Sequence, residues 1–155
     1  MASNRHLGRI IALQTLYEHE FRQEAGDDSY VLEDILNRNI ARYSETVDDL
    51  GFIRSLVNGV VEKQADLDRQ LQPVAPEWPI DQIARMDRII LRIGLYELDY
   101  LSDIPPKVVI NEAVELAKAF GSDNSSKFIN GVLGTLLSQK NDQRPTIKKS
   151  TNKES

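Results

Sequence analysis

The stretch that decides the fold is residues 85–135, RMDRIILRIGLYELDYLSDIPPKVVINEAVELAKAFGSDNSSKFINGVLGT. Three apolar patterns with helical period follow one another in it, and Pro105-Pro106 and Gly121 separate them. The first pattern is apolar on most sides, which is typical of a helix at the centre of its domain. The stretch therefore predicts three helices that pack together. Gly94, Gly131 and Gly134 are interpreted as points where neighbouring helices approach closely.

The rest of the chain has the same helical periodicity, and no segment has the alternation of a strand. Helices are predicted over residues 5–23, 30–43, 47–71, 80–101, 106–120 and from about 123 to 140. The first has Tyr17 and Phe21 on its apolar stripe, and the third has Leu50 facing inward. Prolines 73, 76 and 79 forbid a continuous helix between the third and fourth patterns.

We therefore expect an all-α fold of two small helical bundles packed together. The bundles span about residues 1–72 and 79–140, joined by the Pro-rich linker into one domain over 1–140. Residues 141–155 are polar and basic without periodicity, which predicts a disordered tail.

Composition excludes several classes of protein. The 155 residues contain no cysteine, so disulfides, thiolate metal sites and a cysteine nucleophile are excluded. The sequence contains no run of 18 apolar residues, which a membrane-spanning helix would need, and its N-terminus lacks the cleavage site of a signal peptide. We expect a cytoplasmic protein.

The net charge of −5 is unevenly distributed. Residues 1–10 carry +2 and residues 140–155 carry +3, whereas residues 11–139 hold 12 basic and 22 acidic side chains. An acidic body with basic ends does not favour a stand-alone nucleic-acid binder. Any contact with nucleic acid is expected to be local.

Catalytic and metal-binding patterns are weak. A metal site at Glu112 and Glu115 would need Glu-x-x-His partners on facing helices. The alternative is a solvated helix face with Glu115 and Lys118 paired. The serines of residues 122–126 lack a neighbouring base, and no phosphate-binding glycine loop is present. The sequence predicts no enzyme, no metal and no cofactor.

The basic residues allow two interpretations each. Arg85, Arg88 and Arg92 form a stripe on the fourth helix, either salt-bridged, as Asp81 with Arg85, or facing a partner. Arg5, His6 and Arg9 cluster at the start of the first helix, where cations oppose the helix dipole and an anion would relieve that cost. Phe128 beside Lys127 suits an unstacked RNA base, or belongs to the core.

Four motifs carry a family resemblance: Ala12-x-Gln14-x-Leu16-Tyr17, residues 87–92 with Tyr96-Glu97-Leu98, residues 110–118 with Phe120-Gly121, and residues 127–133. In order and spacing they resemble the NusB transcription antitermination family over roughly residues 5–139. The resemblance implies an all-helical, non-enzymatic protein that pairs with the ribosomal protein NusE. It also implies binding to boxA-type single-stranded RNA in ribosomal RNA leaders. Other Nus factors and RNA polymerase then join, and premature termination is suppressed.

The resemblance also implies site residues. For RNA these are Arg5, His6, Arg9, Asn124, Lys127 and Phe128. For NusE the residue is Asp87, with Ile83 and Arg88 as its neighbours. The first helix has few arginines for this family, so we expect weak intrinsic RNA affinity. Replacing Arg5 or Arg9 by alanine is expected to weaken RNA binding while leaving the melting temperature nearly unchanged.

Two other interpretations remain. NusB-like domains also precede ribosomal RNA cytosine methyltransferase domains, where they hold RNA. The third interpretation is a structural homodimer that occludes the RNA surfaces.

Overall fold

The computed structural model describes residues 4–75 and 79–154, with side chains described through residue 142. Within these ranges the chain forms six α-helices and two short 3-10 helices, and it contains no strand. The α-helices are α1 Arg5–Glu24, α2 Leu32–Arg42, α3 Leu50–Leu71, α4 Arg85–Tyr100, α5 Pro106–Phe120 and α6 Ser125–Glu154. The 3-10 helices are Gln72–Val74 and Ile80–Gln82. The all-α prediction is confirmed. None of the described helices combines the length and apolar character needed to cross a membrane.

Helix α4 lies at the centre of the fold, as its apolar circumference predicts. It packs against α1 and α3 on one side and against α5 and α6 on the other. The side chains of Ile89, Ile90, Leu91, Ile93 and Leu95 are at most 1% exposed. Each such side chain contributes about 1.5–3 kcal/mol of burial free energy. The two bundles therefore share one continuous core with α4 inside it.

The glycine predictions have different outcomes. A Cβ placed on Gly94 would lie 2.7 Å from Cδ1 of Leu133, so α6 approaches α4 closely there and a larger residue would displace the Leu133 side chain. The prediction is wrong for Gly131 and Gly134, where an added Cβ would meet nothing within 4 Å. These two glycines face open space because the side of α6 that carries Leu133 and Leu136 makes the helix contacts.

The fourth helix begins later than predicted. Ile83 and Ala84 have ψ values of 136° and 137°, so the backbone is extended between the 3-10 turn and α4. The Arg88 guanidinium fixes this bend, since its Nη1 donates to the carbonyls of Asp81 at 3.2 Å and Ile83 at 2.8 Å. A continuous helix would have bonded these carbonyls to backbone N–H groups.

The arginine stripe of α4 is salt-bridged, but not to Asp81, which is exposed. Arg88 and Arg92 share the buried carboxylate of Glu20 on α1, and Nη1 of Arg92 lies 2.7 Å from it. Nε of Arg92 also lies 2.8 Å from Asp68 on α3. Burial by itself raises the pKa of Glu20, but the hydrogen bonds and charges of Arg88 and Arg92 outweigh burial and lower it. The stripe thus joins three helices.

Two inward predictions are wrong. Phe21 is 55% exposed on the last turns of α1, where it lies under the Arg85 guanidinium, 5.3 Å from ring centroid to Cζ. Leu50 is 44% exposed because it is the first residue of α3 and precedes the turn that packs on α1.

The predicted tail and linker are only partly described. Helix α6 is traced to Glu154, whereas a disordered tail is predicted from residue 141. The side chains of residues 143–155 lie outside the described part, as do residues 76–78 of the linker. The expectation for the tail stays a prediction.

Candidate nucleic-acid interface

Arg9 is buried rather than presented to a ligand. Its side chain is 3% exposed and that of Glu97 on α4 is 1% exposed. The two form a bidentate pair, with Nη2 of Arg9 2.7 Å from Oε1 and Nε 3.0 Å from Oε2 of Glu97. Burial raises the pKa of Glu97, and the Arg9 guanidinium opposes that rise. This pair fastens the start of α1 to the end of α4.

Arg5 and His6 are accessible but already paired with acids. Nη2 of Arg5 lies 3.3 Å from Oδ2 of Asp49, the N-cap of α3, and the Arg5 side chain is 35% exposed. Nδ1 of His6 lies 2.7 Å from Oε2 of Glu112 on α5, and the His6 side chain is 50% exposed. The guanidinium of Arg5 also stacks on the Phe52 ring, with Cζ 4.5 Å from the centroid. Three helices therefore position these two side chains.

A cleft of about 330 Å³ opens beside this cluster. It is formed by the first turns of α1, by residues 103–105 and by Val108 and Glu112 of α5. Arg5, His6, Asp49 and Glu112 are called the α1 cluster below. An anion in the cleft would compete with these carboxylates for the donors of Arg5 and His6.

Four of the other expected residues line a groove between the starts of α4 and α6. Ile83, Asp87, Asn124 and Phe128 border it together, and its volume is about 260 Å³. We call this the α4–α6 groove. Phe128 is half-buried there and also packs against the core. Asp87 has a buried Oδ1 with no hydrogen-bond partner among the described residues. Such an oxygen is costly to bury unless a ligand donates to it.

The α1 cluster and the α4–α6 groove lie at opposite ends of α4. Helices α1 and α4 are antiparallel, because Arg9 pairs with Glu97 while Glu20 pairs with Arg88. Asp87 and Glu97 are ten residues apart on α4, which corresponds to roughly 15 Å along the helix. The expected RNA residues therefore form two groups, and one group shares its groove with Ile83 and Asp87, expected at the protein interface.

Arg88, expected beside the partner, is 5% exposed and holds the bend before α4. Lys127 is exposed on the first turn of α6. In the part of the chain with described side chains, the basic residues without an acidic partner within 4 Å are Arg42, Lys107 and Lys127. Lys127 is thus a free cation next to the groove.

Sequence reasoning did not identify the carboxylates that pair with the start of α1, which are Asp49, Glu97 and Glu112. Asp49 and Glu97 gave a local signal, as an N-cap and as a charge within an apolar helix, but no local signal names their partners. The predicted pair of Glu115 with Lys118 is present at 3.6 Å. Among the described residues no group of three or more acidic or histidine side chains could hold a metal.

Comparisons with known proteins agree with this architecture. A model of the NusB family matches residues 6–138. The transcription antitermination protein NusB of Chloroflexus aggregans is 43% identical over 141 residues, covering 90% of each chain. That of Roseiflexus castenholzii is 44% identical over 141 residues, covering 90% of this chain and 95% of its own.

Solved structures give the same result. The NusB structure from T. maritima is 33% identical, with a TM-score of 0.75 over 87% of this chain and 91% of its own. A crystal structure of antitermination factors NusB and NusE in complex with dsRNA matches in fold, with a TM-score of 0.75 at 23% identity over 87% of this chain and 96% of its own.

The fold and these matches define a helical, non-enzymatic transcription factor of the antitermination class. The chain belongs to the NusB family.

Proposed function

We propose that this protein pairs with NusE and that the pair binds boxA-type RNA in ribosomal RNA leaders. Together with other Nus factors on RNA polymerase, the pair would prevent premature termination in the cytoplasm. Relatives that share more than 40% of their residues with this chain are named for antitermination. A protein of the same fold has been crystallised with NusE and dsRNA.

The observation that carries the proposal is the α4–α6 groove. Its walls combine Ile83 and Asp87, the expected protein contacts, with Asn124 and Phe128, the expected RNA contacts. A partner donor that reaches Oδ1 of Asp87 would bond an oxygen that accepts no hydrogen bond from the described residues. A base that stacks on Phe128 would then also contact the bound partner. Protein and RNA would bind cooperatively because each completes the other's site.

Electrostatics also support a paired mode of binding. The body of the chain is acidic, which suits a basic ribosomal protein and repels phosphate. Free positive charge near the groove is limited to Lys127 among the described side chains. At the other end of α4, Arg5 and His6 are available only after they release carboxylates. RNA affinity in this proposal therefore depends on the partner.

The test measures binding of a boxA-type RNA by this protein, by NusE and by an equimolar mixture. We expect the mixture to bind more tightly than either protein, and to prefer boxA to a scrambled RNA of equal composition. With two to four phosphate contacts on single-stranded RNA, log K should fall against log salt with a slope of about −1.5 to −3. Equal binding of both RNAs, or no gain from NusE, contradicts the proposal.

A further inference from the structure

We propose that Glu112 and Asp49 are built-in competitors of RNA phosphate at the start of α1, and so set the RNA affinity of this protein. This inference rests on the proposed function and concerns the regulation of the same site. In the free protein Glu112 holds His6 and Asp49 holds Arg5. A phosphate that enters the cleft must take these donors from the carboxylates.

The paired side chains at the start of α1 fall into two kinds. Arg9 and Glu97 are nearly inaccessible to solvent and bidentate, so their separation would leave a charge in the core. The side chains of the other pairs are accessible: 50% for His6 with 26% for Glu112, and 35% for Arg5 with 33% for Asp49. Water can solvate both members after separation, so these pairs are exchangeable. The buried pair fixes the start of α1 while the outer pairs open.

The two acids already accept hydrogen bonds from the donors that a phosphate would need. Oε2 of Glu112 is 2.7 Å from Nδ1 of His6, and its Oε1 is 3.9 Å from Nη1 of Arg9. Both nitrogen atoms of Arg5 that face Asp49 lie 3.3 Å from Oδ2. The two carboxylates therefore occupy the donors that line the cleft, and their charges would repel phosphate.

The expected change in RNA affinity follows from the solvent exposure of these pairs. Partly exposed pairs of this kind are weak, so removing one competitor is expected to tighten RNA binding by roughly two- to five-fold. Glu112→Gln keeps the size of the side chain and removes its charge. Asp49→Asn does the same and preserves the cap of α3, since Oδ1 still accepts from the N–H of Phe52, 3.0 Å away.

The experiment compares boxA-type RNA affinity of the NusE pair for wild type, Glu112→Gln, Asp49→Asn and a control, Glu62→Gln. Glu62 is a highly exposed residue of α3, more than three helical turns beyond Asp49, so its replacement changes the net charge equally without touching the cleft. We expect both cleft variants to bind two- to five-fold more tightly and the control to bind within about 1.5-fold of wild type. Melting curves confirm that each variant is folded. If one cleft variant does not fold, the other carries the test.

The outcomes separate this inference from the proposed function. If the pair of wild-type protein and NusE does not bind boxA-type RNA more tightly than scrambled RNA, the proposed function itself is contradicted. If wild type shows the preference, unchanged or weaker binding by the folded cleft variants overturns only the inference. An equal gain in Glu62→Gln also overturns it, because net charge alone would then explain the effect.

Discussion

Replacing Arg9 by alanine should destabilise the protein far more than replacing Arg5. Arg9 and Glu97 are 3% and 1% exposed, so Arg9→Ala leaves the Glu97 carboxylate uncompensated in the core. Breaking such a buried pair costs about 3–5 kcal/mol. For a domain of this size each kcal/mol lowers the melting temperature by roughly 2–4 °C, so a fall of about 6–20 °C is expected. The sequence alone predicts almost no change.

Arg5→Ala is the matched control. The Arg5 pair with Asp49 is one-third exposed and contributes at most about 1 kcal/mol, so the melting temperature should fall by no more than about 4 °C. The assay is thermal unfolding followed by circular dichroism, with urea unfolding for the free energy. RNA binding is then compared at a temperature where both variants are folded. There Arg5→Ala should weaken binding more than Arg9→Ala, because only Arg5 is accessible.

A double variant tests whether the unpaired Glu97 carboxylate causes the loss of stability. Arg9→Met with Glu97→Leu replaces the pair by apolar side chains and removes both buried charges. It should recover much of the stability that Arg9→Ala loses, because the penalty comes from the unpaired carboxylate. A melting temperature of Arg9→Ala within about 2 °C of wild type would refute the reasoning. Arg9 would then return to the group of expected RNA contacts.

Three further predictions concern the groove and the arginine stripe. Lys127→Ala should reduce the steepness of the salt dependence of RNA binding by about 0.7, whereas Arg42→Ala, which also removes an unpaired charge, should not change it. Asp87→Lys should weaken NusE binding at least about ten-fold by calorimetry, since a like charge would face a basic partner; unchanged affinity would remove Asp87 from the interface. Glu20 has a lowered pKa in the folded state, so its contribution to stability is present above about pH 4.5 and lost as the pH falls through the folded value. The difference in unfolding free energy between wild type and Glu20→Gln should therefore shrink from pH 7 to pH 3, and a constant difference would contradict this.

Hydrophobic periodicity predicted the positions of the helices, but it did not predict which of their charged residues are buried. The apolar circumference of α4 predicted its central position, because burial of many aliphatic side chains dominates the energetics of such a helix. The same periodicity predicts that a charged residue faces solvent. Arg9 is buried next to the apolar stripe of α1 because a carboxylate 88 residues away neutralises it. No local pattern carries that information.

The start of α4 shows a second limit of local signals. Residues 80–84 have no proline or glycine, and their composition favours a longer helix. The backbone becomes extended at Ile83 and Ala84 because Arg88 donates to the carbonyls of Asp81 and Ile83 and is itself held by Glu20. A tertiary network therefore ends the helix. This bend turns Ile83 into the α4–α6 groove.

The family resemblance supplied candidate site residues, but neither the burial of Arg9 and Arg88 nor the arrangement of the others was predictable from the sequence. Asn124 and Phe128 were expected to contact RNA together with Arg5 and His6, whereas Asp87 was expected to contact the protein partner. The antiparallel order of α1, α4, α5 and α6 instead places the beginnings of α4 and α6 together. Short connections between consecutive helices enforce that order. The length of α4 then sets the distance between the start of α1 and the α4–α6 groove.

The same arrangement explains how an acidic protein can have an RNA-binding role. Carboxylates pair with Arg5, His6 and Arg9, so among the described residues the start of α1 offers phosphate little uncompensated charge. This cancellation suppresses non-specific binding, which depends on the number of phosphates neutralised. Binding would then need a second contribution, which under the proposed function a partner in the α4–α6 groove would supply by completing the site around Phe128. Selectivity for the correct complex would arise because neither contribution is sufficient by itself.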